Sequence, residues 1–308
     1  MPACNTLRGL PKRIRCNVVS ELTLVTIVCK KDLFMLEIQL RSLRANTDIQ
    51  KIKEHIIIFN DDEDLSEQVN SILKRSDYQI NSTVIDGQQL LATQHRVSRG
   101  WYTQQALKLL ASKYVTTDVY IILDAKNHIL NEYSFESLFF DAKPIIYLQG
   151  KRGGWENAIL GACDVFAIDE AGIKKYSAPI TPYPIFTNIA NKMHAKLNEL
   201  GKSAEGLICQ KLTTEFMLYW VFICKESLND KYEQVSFTKC PYRTLFKSYD
   251  FANFADIAES ADDIEWFGIH LKHFDEKNKD KILSLWQERD LVAPGEDYDQ
   301  YFTSTDSD

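Results

Sequence analysis

Three stretches of this chain, LTLVTIVC (22–29), HIIIFN (55–60) and DVYIIL (118–123), are apolar runs rich in β-branched residues with no helical spacing. A strand that is apolar on both faces has to be covered on both. That places it inside a mainly parallel sheet with helices on either side. The intervening segments agree. Residues 32–46 put Phe34, Ile38 and Leu43 at helical spacing behind Asp32, which suits an N-cap. A second helix is predicted over 65–75, a short strand near 83–85 and a helix over 101–114. In that last helix Trp101, Gln105 and Lys108 share one side, and Leu107, Leu110 and Ala111 another. The alternation predicts an α/β fold.

The second half is less regular. Pro144–Leu148 and Asp164–Ile168 read as strands, separated by the glycine-bearing loop Gly150–Trp155. Helices are predicted at 188–200 and 213–225, a late strand at 264–271 and a final helix at 275–289. No repeat, low-complexity tract or Pro/Gly-rich linker interrupts the chain, so residues 1–308 read as one domain. Its subregions are 20–150, 151–290 and an acidic tail at 291–308 that is expected to fray.

A net charge of -7 without a long basic run argues against non-specific binding to nucleic acid. The seven cysteines are odd in number and form no CxxC pair, which speaks against a zinc site or a disulfide framework and for a reducing compartment. Arg8, Lys12, Arg13 and Arg15 are not followed by an apolar run before Glu21, so they do not read as a signal peptide. They would be drawn to an anionic membrane surface, though stable anchoring needs a second signal. Phe216–Cys224 is far shorter than a membrane span. The expected location is the cytoplasm, with the inner membrane face as the place such a contact would form.

Ligands of open parallel sheets bind beyond the carboxyl ends of strands, where strand order reverses. The ends here are Cys29-Lys30-Lys31, Asn60-Asp61-Asp62, Asp86-Gly87 and Asp124-Ala125-Lys126-Asn127. No GxGxxG follows the first strand, and GxxxxGK[ST], GxSxG and HExxH are all missing. What remains is a site that grips a nucleotide through scattered side chains.

A first strand followed by KKD and a long helix, a second strand ending in an acid, and a strand ending LDAKN together resemble a GT-A glycosyltransferase. The chain is particularly similar to uncharacterised bacterial members with an RxGWxxQQxxKL-type helix, here Arg99 to Leu109. The likeness covers about 22–150 well and the rest through isolated features. It implies a GT-A-like (Rossmann-like), mainly parallel sheet sandwiched by helices, with a helical, acceptor-side C-terminal region. It also implies an enzyme that moves a sugar from a nucleotide-sugar donor to a glycan, lipid-linked or small acceptor, in the setting of bacterial surface-polysaccharide synthesis.

By that resemblance Asp61, or Asp62 beside it, contacts the donor base or ribose. Asp124 matches the first acid of the family's metal-holding DxD motif. Its second acid is replaced by Lys126, and a protonated lysine cannot ligate a metal but can offset diphosphate charge. The expectation is a leaving group stabilised by Lys126 and nearby arginines with no required cofactor; Mn or Mg on Asp124 stays open. Thr26, Lys30, Asp61, Arg96, Arg99, Gln104, Lys108, Asn127 and His270 are the candidate donor contacts, His270 through a late GxH. Catalytic candidates are Asp124, Lys126 and Glu215. The last is an acid in an apolar helix, suited either to the helix dipole or to deprotonating an acceptor. Glu156, Asp169, His128 and His273 rank behind these. The loop Lys151–Trp155 reads either as a lid carrying cations and an aromatic platform or as a connector. Two other functions fit the same residues: a sugar nucleotidyltransferase, and a catalytically inactive glycan-binding or scaffold protein.

Overall fold

The computed structural model describes residues 21–92, 100–150, 155–173, 175–245, 264–269, 276–293, 295–296 and 298. In chain order the first half contains β1 (Leu22–Val28), α1 (Leu33–Asn46), β2 (Ile52–Phe59), α2 (Ser66–Arg75), β3 (Ser82–Asp86), α3 (Gly87–Leu90), α4 (Trp101–Leu110), β4 (Val119–Asp124) and β5 (Asn127–His128). The second half adds β6 (Phe139–Phe140), β7 (Lys143–Gln149), α5 (Glu156–Phe166), β8 (Tyr176–Ser177), β9 (Tyr183–Phe186), α6 (Thr187–Glu199), α7 (Ala204–Cys209) and α8 (Glu215–Lys225). Then follow β10 (Glu233–Ser236), β11 (Tyr242–Leu245), β12 (Trp266–Ile269) and a last helix, α9 (Glu276–Glu288).

The central sheet runs β3-β2-β1-β4-β9. Its first four strands are parallel, and β9 closes the edge antiparallel to β4. All seven residues of β1 are buried, as the unbroken apolar run requires. Val25, Ile27, Ile56, Ile58, Tyr120 and Ile122 face a core shared with α4 to α8, while Leu24, Ile57, Phe59, Ile121 and Leu123 face the core under α1 and α2. The fold is thus a mainly parallel α/β sheet between two helical layers. Smaller sheets, β10-β7-β6 with β8 on β7, and β11-β12-β5, flank it.

Two local expectations are corrected. Residues 164–168, read as a strand, are the end of α5 and the turn after it. Ile159, Ala162, Cys163 and Phe166 are buried at i, i+3, i+4 and i+7, a helical stripe that a five-residue apolar window conceals. Asp32 does occupy the N-cap of α1, but its side chain makes no cap bond and instead accepts from Cys29 Sγ at 3.0 Å.

Parallel strands bring their carboxyl ends to one edge. Chain order steps outward from β1 to β2 to β3 and then returns to β4 on the other side of β1. The reversal point therefore lies between the ends of β1 and β4, at Cys29 and Asp124. The glycine of the RxGW motif matters here. Gly100 has φ 110° and ψ -154°, a region open essentially to glycine alone, and starts α4 so that its carbonyl accepts from Asn60 Nδ2 at 3.2 Å.

Candidate functional site

Lys108, on the last turn of α4, is the centre of the arrangement. Only 3% of its side chain is exposed, and its three N–H donors meet three oxygens. These are Asp124 Oδ1 at 2.9 Å, Glu215 Oε1 at 3.2 Å and Gln105 Oε1 at 3.2 Å. The Phe216 ring lies 5.2 Å from the ammonium, and Tyr183 stacks on that ring. The other oxygen of Asp124 takes Lys126 at 3.3 Å. Asp124 and Lys126, 18% and 21% exposed, form the partly open lip of a cluster whose floor is Lys108 and Glu215.

The charges explain one another. Burial alone would raise the Asp124 carboxyl, but the Lys108 and Lys126 ammoniums outweigh it and hold the group well below the usual carboxylate range. Glu215 goes the other way. Its burial raises it, Asp124 adds to that, and the Lys108 charge offsets only part. Lys108 would be pushed down by burial, yet its two carboxylates hold it charged. Asp32 is a further acid at this edge, raised by burial and by Asp124 and lowered by the Cys29 bond and Lys126. Within one cluster, then, Glu215 and Asp32 are raised and Asp124 is lowered.

Beneath the lip runs a chain of hydrogen bonds with a fixed direction. Gln39 on α1 donates to the carbonyls of Asp124 and Asn127 at 2.8 and 2.9 Å. Its Oε1 accepts from Thr26 Oγ1 at 2.8 Å, so the Thr26 oxygen accepts in turn from His55 Nε2 at 2.9 Å. His55 Nδ1 is then the acceptor for Tyr78 OH at 3.0 Å. Burial lowers His55 to about 3, which keeps it neutral as this scheme requires. A second chain arrives from α9. Trp286 Nε1 donates to His128 Nε2 at 3.0 Å, leaving Nδ1–H to donate to the Lys126 carbonyl at 3.1 Å. Within the turn itself, Asn127 Oδ1 accepts from the Asp124 amide at 2.7 Å and from Thr181 Oγ1 at 2.7 Å.

Asp124, Lys126, Lys108 and Glu215, far apart in sequence, are therefore brought together. Several expected donor contacts stand elsewhere. Thr26 is fully buried with its hydroxyl engaged, and Asn127 is 1% exposed; both lie behind the surface and shape the turn from within. Lys108 lies inside the protein, because α4 is enclosed by the sheet, α7 and α8 from Gln105 onward, and the polar stripe of the helix points inward. Lys30 is exposed and pairs with Glu63 at 2.7 Å. Asp61 Oδ2 accepts the Lys30 amide at 2.8 Å, joining the ends of β1 and β2, and Gln104 is half-buried on the first turn of α4. Arg96, Arg99, His270, His273 and the loop 151–154 lie outside the described residues, as does the basic stretch before residue 21. Sequence reasoning missed Gln39, His55 and Thr181. For the first two a signal existed, a polar residue set in an apolar helix or strand; for Thr181 there was none. Among the described residues no group of three or more His, Cys, Asp or Glu side chains is arranged to hold a metal ion, and no helix is long and apolar enough to cross a membrane.

Fold and site together define an α/β protein with a charged cluster at the reversal point of a mainly parallel sheet. The chain belongs to a family described as a family of unknown function, DUF6492, whose pattern matches residues 18–274. No curated protein matches the sequence. Among solved structures it is similar to apo mouse xyloside xylosyltransferase 1, with 12% identity and a TM-score of 0.44 over 80% of this chain and 97% of that one. It is also similar to TarS of S. aureus, with 14% identity and a TM-score of 0.38 over 66% of this chain. It spans 34% of the length of TarS.

Proposed function

We propose that the chain is a glycosyltransferase that moves a sugar from a nucleotide-activated donor to a glycan, lipid-linked or small acceptor. The observation that carries this reading is the position of the Lys108–Asp124–Lys126–Glu215 cluster, at the strand edge where parallel sheets bind nucleotides. The LDAKN resemblance, which falls on the same turn, adds to it. In this reading Lys126, on the open lip, meets the donor diphosphate and offsets charge on the leaving group. Asp124 holds Lys126 in place, and Lys108 holds Asp124. Asp61, Lys30 and Gln104 are the candidates among the described residues for base, ribose and sugar contacts, with Arg96, Arg99 and His270 kept as proposals.

Glu215 keeps its place as the acceptor base on chemistry alone: a carboxyl with raised proton affinity is a better base than an ordinary one. With 4% of its side chain exposed, it would have to part from Lys108 to act. That burial favours a second reading, a glycan-binding protein in which the cluster is structural. A metal-free reaction is part of the first proposal, with Mn or Mg on Asp124 as its alternative. The cytoplasm and bacterial surface-polysaccharide synthesis are its proposed setting.

Thermal unfolding against nucleoside diphosphates and CMP, with manganese or with chelator, tests both. A ligand at about a hundred times its Kd adds roughly 2.7 kcal/mol of stability. A shift that survives chelator, together with nucleotide-sugar hydrolysis lost in Asp124→Ala, is the expected result. A shift with manganese only would sink the metal-free mechanism. With no shift from any nucleotide, the binding-protein reading takes over.

A further inference from the structure

Trp101 opens α4 with 46% of its surface exposed, an unusual position for the largest apolar side chain. Its ring centroid is 4.8 Å from that of Tyr102, edge on, and 6.3 Å from that of Trp155, with planes 38° apart. Trp155 is half-buried at the N-cap of α5. Lys211 stands 5.4 Å from the Tyr102 ring centroid. Leu212, next in the chain to Lys211, is more than two-fifths exposed as well. Exposed apolar surface gathered in one place and rimmed by polar groups marks a binding surface.

Its relation to the charged cluster narrows the occupant. Trp101, Gln104, Gln105 and Lys108 recur at i, i+3, i+4 and i+7, one stripe of α4. Two turns of helix cover about 10 Å, so the aromatic patch and the Lys108 backbone lie that far apart on a single rigid element. A pyranose ring has a C–H face that suits the negative face of an aromatic ring, and an equatorial rim of hydroxyls that needs donors and acceptors. The half-buried Gln104 amide, on the first turn of α4, and the Lys211 ammonium beside the Tyr102 ring can supply these.

Resting on the glycosyltransferase reading, we propose that Trp101, Trp155 and Tyr102 form the stacking platform for a pyranose ring of a glycan acceptor. The platform stands at the exposed head of α4, the same helix whose buried Lys108 pairs with Asp124.

The test is a glycan array of neutral, uronate-containing and phosphorylated oligosaccharides, followed by tryptophan-fluorescence titration with the best-bound saccharide. Vesicles of phosphatidylethanolamine and phosphatidylglycerol run in parallel. Expected are saccharide binding, a loss of about tenfold in affinity in Trp101→Ala and in Trp155→Ala, and near-retention in Trp101→Phe. Unfolding temperatures check that each variant is folded, and the nucleotide-induced shift should be the same in all. Three results overturn the platform: no array binding, array binding indifferent to both alanine variants, or binding to vesicles alone. Saccharide binding that needs Trp101 in a protein unmoved by any nucleotide keeps the platform and removes the transferase.

Discussion

Lys108 carries a full charge with almost no contact with water, and its worth lies in what its loss leaves behind. Lys108→Met keeps the side-chain volume but leaves the buried Glu215 without its cation and Asp124 with Lys126 alone. Breaking such a pair costs about 3–5 kcal/mol, so denaturant unfolding should show a loss of that order. Adding Glu215→Gln should return part of it, because a neutral amide no longer needs the cation. Equal losses in the single and double variants would mean that Glu215 does not share the charge. The two buried histidines set a pH dependence. Burial lowers His55 to about 3 and His128 to about 4, from a usual 6.5. Between pH 6.5 and about 4 the unfolded chain takes up protons at these sites and the folded chain does not. Stability is therefore full above 6.5 and falls as pH drops, by up to about 1.4 kcal/mol per pH unit for each histidine. His55→Gln and His128→Gln should each flatten urea-derived stability across that window; an unchanged slope would show that neither is buried neutral.

At the scale of elements, Gly100 and Gly161 are the most constrained links. Gly100→Ala forces a side chain into a glycine-only conformation at the head of α4, a cost of about 1–3 kcal/mol. Calorimetry should show that loss, and an unfolding temperature equal to that of the wild type would show that the conformation is not strained for alanine. In Gly161→Ala the added carbon would sit 1.9 Å from the Leu212 carbonyl oxygen, so α5 has to move off the α7–α8 connection. A fall in unfolding temperature larger than that for Gly172→Ala, where nothing stands within 4 Å, checks this. The strands β1, β2 and β4 were legible in the sequence because a parallel strand needs no partner in register to look apolar. The small strands β5, β6 and β8, two residues each, carry no period at all. The site was legible in part. Asp124, Lys126 and Glu215 stand out as charges next to apolar runs. That Lys108 points inward follows from α7 and α8 packing over α4, which no local window contains. Thr26 misled for the related reason that a hydroxyl in a strand looks alike whichever layer it faces.

Over the whole molecule, α1 is joined to the end of the chain. Phe34, Met35 and Ile38 share a core with Ile282, Leu285, Trp286, Leu291 and Val292, beyond the residues matched by the family pattern. Arg41 fastens it, donating to Glu37 at 2.7 Å, to both oxygens of Glu296 at 2.7 and 2.8 Å and to Tyr298 OH at 3.2 Å. The Arg41 bond, against a smaller opposing effect of burial, holds the Glu296 carboxyl at about 2. Its contribution is complete above the usual 4.5 and is lost as pH falls toward 2. Arg41→Ala should expose the segment after residue 290 to limited proteolysis while the sheet stays intact; a cleavage rate equal to that of the wild type would show that Arg41 does not fasten it. The wide sequence separation inside the charged cluster has a consequence for the protein's synthesis. Glu215 leaves the ribosome about 90 residues after Asp124, a delay of roughly 5–20 s at ordinary translation rates. Through that interval Lys108 has one of its two carboxylates, and α8, which seals the floor, does not yet exist. The nascent chain can pair its parallel strands long before its charged cluster is complete.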